Sequence, residues 1–182
     1  MTIQHPSDSI AKAQRFAETS HLGQTRKGAG AEPYVVHLAE VAEFVARFGG
    51  TETAIIAAWL HDTVEDCAIR RDDIAVAFGE AVASVVMELT DDKSLPKAER
   101  KRLQIVNAPH KSPEAALVKL CDKMSNVRAV GMNPPLHWPL ERKWAYVDWA
   151  VAVTDALPTT LSLNARAAFA ATVQATREAL SS

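Results

Sequence analysis

Apolar positions recur every three and four residues along most of the chain, separated by polar and charged positions and broken by Pro and Gly. That period is the mark of helices packed through one face. It predicts helices over residues 8–22, 36–48, 52–67, 71–78, 80–90, 97–107, 113–130, 136–155 and 160–180, hence an all-α fold. Local signals set several ends: Gly49-Gly50 closes one helix, Thr51 caps the next, and Ser112-Pro113 supplies a cap and a first-turn proline to another. Asn133-Pro134-Pro135 is a firm break, and Thr25 to Glu32, rich in Gly and small residues, is expected to be a surface loop. No repeat, low-complexity tract or linker divides the chain, so residues 1–182 are predicted to form a single compact multi-helix bundle.

Charge and cysteine usage narrow the function classes. The balance of 20 Lys+Arg against 22 Asp+Glu creates no global basic field, which argues against nucleic acid as a main partner. MTIQHPSDSI at the start has neither a positive nor an apolar targeting region, and no apolar run reaches bilayer length, so no membrane partner and a cytoplasmic location are expected. Cys67 and Cys121 are expected to be buried reduced thiols.

The candidate chemistry centres on LHDTVED. Over the predicted helix 52–67, His61, Asp62, Glu65 and Asp66 fall within an arc of about 140°, alongside Ala54 and Ala58 and apart from the apolar stripe Ile56, Leu60 and Val64. That many carboxylates on a close-packed face require a cation. One helix supplies only two or three ligands, so others must come from elsewhere. His37, at the start of a helix after Glu32-Pro33-Tyr34, is one candidate. Asp122, sharing a face with Ala115, Val118 and Ala129, is the second, and Asn126 follows it one turn on. Two imidazoles and two carboxylates suit Mn²⁺, Fe²⁺ or Zn²⁺ better than the all-oxygen sites of Ca²⁺.

His37, His61-Asp62 and Asp122 together resemble the H…HD…D signature of HD-domain metal-dependent phosphohydrolases. The segments HLGQTRKG, EPYVVHLAEVA, AAWLHDTVEDC, ELTDDKSLPKAERKRLQ, APHKS and LVKLCDKMSNVR are similar to the hydrolase half of RelA/SpoT-type alarmone enzymes, over about residues 21–150. A chain of this length has no room for the synthetase and regulatory regions, and so resembles the stand-alone small alarmone hydrolases of the metazoan-homologue type. Leu38 stands where the family often has proline, and Ser125 where it often has histidine; neither is a presumed ligand.

The resemblance implies an HD-domain bundle with Mn²⁺-dependent hydrolysis of the 3′-diphosphate of (p)ppGpp. His37, His61, Asp62 and Asp122 would hold the ion. Glu65 and Asp66 would orient or deprotonate the water; as plain caps at a helix C-terminus they would oppose the macrodipole. Arg26, Lys27 and Asn126 would hold the nucleotide, and Arg142 and Tyr146 would form a basic and aromatic pair beside its phosphates. Two other readings use the same residues: a hydrolase of another phosphorylated nucleotide, and a module that binds the alarmone without turnover. The basic run from Lys93 to Lys111 is expected to be a solvated face, with some of it open to a polyphosphate. Trp144 and Trp149, on neighbouring faces, have plain core packing as an alternative reading, and His5, His21, His110 and His137 have no assigned chemistry. No function is assigned beyond Val151.

Overall fold

In the computed structural model, which describes residues 7–182, the chain is helical throughout; among those residues there are ten α-helices, one 3₁₀ turn and no strand, only two isolated bridges. The helices are α1 (Asp8–Ser20), α2 (Val35–Arg47), α3 (Glu52–Leu60), α4 (Thr63–Asp66), α5 (Arg71–Phe78), α6 (Glu80–Leu89), α7 (Lys97–Asn107), α8 (Pro113–Met132), α9 (Leu140–Asp155) and α10 (Leu163–Ser181). His5 lies outside the described residues. No helix among them is long and apolar enough to cross a membrane.

Two helices are buried nearly all round and form the centre. On α3, Ala54 and every residue from Ile56 to Leu60 are buried, and on α8 every residue from Ala115 to Ser125 is. α3 is therefore not the one-faced helix read from the sequence, because α1, α2, α6 and α8 all pack on it. Alanines at 54, 57, 58, 115 and 116 let these neighbours approach closely. α10 lies along α8, where Gly131 passes Thr176 so closely that an added Cβ would sit 3.0 Å from its hydroxyl. The segment beyond Val151 thus completes the shell around the central helix.

The turn chemistry works as the sequence predicts. Thr51 and Ser112 accept from Ala54 N–H and Ala115 N–H. After α2, the Gly49 N–H donates to Ala46 O and the Gly50 N–H to Val45 O, with Gly49 at φ +79°, a Schellman ending that explains the glycine pair.

The main departure from the predicted elements is at residue 61. The expected helix 52–67 stops at Leu60 and restarts as α4, and His61-Asp62 form the turn between. Thr63 Oγ1 donates to Leu60 O at 2.6 Å, and Asp62 sits at φ −103°, ψ −2°. A threonine hydroxyl bonded to a nearby carbonyl competes with the helical ladder. The single-helix arc therefore does not describe the dyad. α2, α3 and α8 nonetheless pack on one another and bring His37, the dyad and Asp122 to one place.

Candidate metal centre and cleft

His37, His61 and Asp122 are buried, with one ligand atom from each lying within 4.8 Å of the others. His37 Nε2 is 3.5 Å from Asp122 Oδ1 and 3.8 Å from Asp62 Oδ2; His61 Nε2 is 3.8 Å from Asp122 Oδ1 and 3.2 Å from Asp62 Oδ2. Ligands about 2.1 Å from one ion stand about 3.0–3.4 Å apart, so His37, His61 and Asp122 are grouped closely enough to hold a cation, and Asp62 Oδ2 reaches the two imidazoles from outside that group of three.

The ring nitrogens are oriented for that task. His61 Nδ1 donates to Ala58 O at 2.7 Å, which leaves Nε2 with its lone pair outward, buried and without a hydrogen-bond partner. On α8, Ser125 donates its single hydroxyl hydrogen to Glu40 and so accepts from His37 Nδ1 at 2.8 Å, again leaving Nε2 as the free electron pair. Arg128 holds the same Glu40 carboxylate. An orphaned imidazole nitrogen among carboxylates fits a divalent ion.

The carboxylates dominate the electrostatics of the ion-free cluster. Burial works to raise the Asp122 carboxyl, but Lys123 at 3.2 Å and the two imidazoles outweigh it and hold it well below the ordinary range. Burial would lower His61, yet Asp62 and Asp122 push it up to about 10, so without an ion Nε2 carries a proton that a bound cation would displace; His37 goes the other way, lowered chiefly by burial. Burial works against the Asp62 carboxylate too, but His61 and His37 hold it well below the ordinary range, so both acids stay charged.

A model of the HD domain matches residues 13–147. The chain belongs to the HD-domain family. It is 44% identical over 85% of its length to the guanosine-3′,5′-bis(diphosphate) 3′-pyrophosphohydrolase MESH1 of Xenopus tropicalis, covering 87% of that protein. It is 42% identical to the MESH1 of Homo sapiens, over 81% of this chain and 84% of that one. Among solved structures, a metazoan orthologue of SpoT described as hydrolysing ppGpp superposes with a TM-score of 0.89 at 37% identity, covering 93% of this chain and 96% of the other.

Beside the ligands, the HD domain opens a cleft of about 890 Å³. All five residues expected at the nucleotide, Arg26, Lys27, Asn126, Arg142 and Tyr146, line it, as does Asp66. Arg26 reaches Ser125 and Asn126 at 3.5 and 3.4 Å and Glu40 at 3.8 Å. Asn126 donates to Asp122 at 2.6 Å. Arg142 lies over the Trp138 ring, 4.4 Å from its centroid, and Tyr146 packs between Trp138 and Trp149.

Glu65 is half-buried behind this surface. Its Oε2 accepts from the Asp91 N–H at 3.2 Å and its Oε1 lies 3.6 Å from Arg100, while burial raises its pKa above the ordinary value. Asp66 is more exposed and pairs with Lys93.

Several residues at this cleft were not singled out from the sequence. Lys97, Arg100 and Lys101 of α7 turn one face into it, while Lys93, paired with Asp66, and Arg102, paired with Glu99, are exposed as the solvated run was expected to be. Their i, i+3, i+4 spacing is the signal that marks such a face. Trp149 is not simply core: it lines the cleft with Lys101 and Lys123 over its ring at 4.5 and 4.4 Å. His21 is buried, while His110 and His137 are exposed. Cys121 is buried and Cys67 only partly so, and both are free thiols.

Because the Ser125 hydroxyl is the partner of His37 Nδ1, Ser125→Ala is expected to weaken binding of a divalent ion at this cluster by about 10–100-fold, with a stability loss of about 1–3 kcal/mol from the orphaned buried nitrogen. Titration of the metal-free protein with Mn²⁺, followed by electron paramagnetic resonance, checks it; unchanged affinity would show that Ser125 only fills space.

Proposed function

We propose that this HD domain is a metal-dependent guanosine-3′,5′-bis(diphosphate) 3′-pyrophosphohydrolase, with residues 1–182 acting as one hydrolase unit in the cytoplasm. The observation that carries the proposal is the meeting of two tautomer-fixed imidazoles and two carboxylates beside a cleft lined by Arg26, Lys27, Lys97, Arg100, Lys101 and Arg142. A cleft so rich in cations within a chain of net charge −2 suits a small polyanion. The named activity of the relatives is hydrolysis of such a molecule.

In this reading His37, His61, Asp62 and Asp122 hold Mn²⁺; Fe²⁺ and Zn²⁺ suit the same donors. When bound, the ion supplies Lewis-acid polarisation of a phosphoryl oxygen and a water of lowered pKa. Glu65 takes the proton of the attacking water, and Asp66 orients that water. The new bond forms at the phosphorus next to the ribose 3′ oxygen. The bond to that oxygen breaks, the oxygen is protonated from solvent, and GDP and pyrophosphate result. Arg26, Lys27 and Arg142 neutralise phosphate charge or stack on the base, Tyr146 offers an aromatic face, and Asn126 keeps one amide hydrogen for a ribose or base acceptor.

Incubating the protein with Mn²⁺ and ppGpp should release GDP and pyrophosphate, and chelation should stop it. A panel including pppGpp and other phosphorylated nucleotides tests the substrate. Preferred turnover of another nucleotide, or tight ppGpp binding with no turnover, would overturn the proposal in favour of a different phosphohydrolase or a binding module.

A further inference from the structure

Tyr34, which drew no assignment from the sequence, touches more of the metal centre than any residue outside the ligand set. It forms the N-cap of α2, with its own N–H donating to Gln24 O at 2.9 Å. Its hydroxyl donates to Asp62 Oδ2 at 2.6 Å. That is the same oxygen that lies 3.2 Å from His61 Nε2 and 3.8 Å from His37 Nε2, so the phenol engages the face of Asp62 turned towards the other ligands. The ring meets His37 edge-on, with centroids 5.5 Å apart and planes at 64°, and is stacked on His21 at 5.0 Å and 21°.

The backing is itself anchored. His21 is buried, and its Nδ1 meets Gln24 Oε1 at 2.9 Å; the amide nitrogen of Gln24 in turn donates to the backbone carbonyl of Asp66 at 3.3 Å. The loop before α2 is thereby tied through one aromatic stack to two ligands and to the acidic turn of α4.

We propose that Tyr34 is a positioning residue of the metal centre. Its hydroxyl fixes the Asp62 carboxylate with Oδ2 towards the ion, its ring fixes the plane of the His37 imidazole, and His21 holds the ring in place. The inference rests on the reading of this cluster as a metal site and not on the identity of the nucleotide. An aspartate in a turn has two equivalent oxygens and a free carboxylate rotation, so without a donor it would spread over orientations that bind the ion less well. Conserving the ring while deleting the hydroxyl isolates that effect.

The test is Tyr34→Phe, compared with Tyr34→Leu, which removes the ring as well. Both are titrated with Co²⁺ in the absence of nucleotide, following the visible absorption of the bound ion, with thermal melts as a control on folding. Tyr34→Phe should bind Co²⁺ about 10–100-fold more weakly than wild type, with a shifted absorption band and a melting temperature close to wild type; Tyr34→Leu should be weaker still. Wild-type affinity and an unshifted band in Tyr34→Phe would overturn the hydroxyl clamp and leave the ring as packing. A wild type that takes up no Co²⁺ would overturn the clamp together with the metal centre. A wild type that binds Co²⁺ but leaves ppGpp intact would refute the proposed function alone, and the clamp would still stand or fall on the Tyr34→Phe titration.

Discussion

Glu65→Gln is expected to lower turnover of ppGpp by about 10²–10⁴-fold, the range for loss of a general base, while metal binding and stability stay near wild type. The substitution is close to isosteric. A glutamine carbonyl can still accept from the Asp91 N–H that holds Oε2 at 3.2 Å, and Glu65 is no part of the metal cluster. What disappears is the charge that takes the proton, along with its pairing to Arg100. Burial raises the Glu65 pKa above the usual glutamate value, so the carboxylate is a stronger base than a solvated one. The sign for catalysis follows: the rate falls as pH drops through that raised pKa, because the protonated acid cannot accept, and this acid limb should be missing from the residual activity of Glu65→Gln. Rate against pH at saturating Mn²⁺, for both proteins, reads the prediction out. With Asp66 replaced as well, the double alanine variant should be inactive; undiminished turnover there would remove the acidic pair from the mechanism.

Much of this site is local in sequence, and that part is legible. His61, Asp62, Glu65 and Asp66 lie within six residues, and the pattern of a histidine, a His-Asp dyad and a distant aspartate picks out, before any fold is known, side chains that the fold brings together. Helix ends written in caps are equally plain, with Thr51 capping α3 and Ser112-Pro113 starting α8 where expected, and the apolar period alone gives the spans of α5 and α7. The misplacements have physical causes. α9 begins at Leu140 instead of 136, because Pro139 lacks an N–H to give and Trp138 N–H is spent on a turn to Pro135 O. The helix through the dyad is interrupted at His61-Asp62, where the Thr63 hydroxyl, buried, bonds the Leu60 carbonyl, and no proline or side-chain cap bond marks that interruption. The groups that orient the ligands were not readable at all. Ser125 and Glu40 are 85 residues apart and Tyr34 and Asp62 are 28 apart, so their meeting is a property of how α2, α3 and α8 pack.

Asp122→Ala is expected to abolish both metal retention and turnover, and also to destabilise the fold by about 3–5 kcal/mol, the cost of orphaning one member of a buried ion pair. The carboxylate is the point where the site and the core meet. It lies 3.5 and 3.8 Å from the two imidazoles, accepts from Asn126 at 2.6 Å and sits 3.2 Å from Lys123, whose ammonium is buried against the Trp149 ring. Removing it takes away a metal ligand and, separately, leaves Lys123 charged in the interior with Lys119, a second buried ammonium, one turn away. These two losses can be pulled apart. Adding Lys123→Met to Asp122→Ala removes the orphaned charge and fills its space with an apolar chain, so much of the stability should return. No ligand returns with it, so metal content and activity should stay at background. Denaturant melts and metal analysis on the single and double variants decide between the outcomes. If the double variant recovers turnover together with stability, Asp122 is a structural partner of Lys123 and the metal centre must be built from other residues.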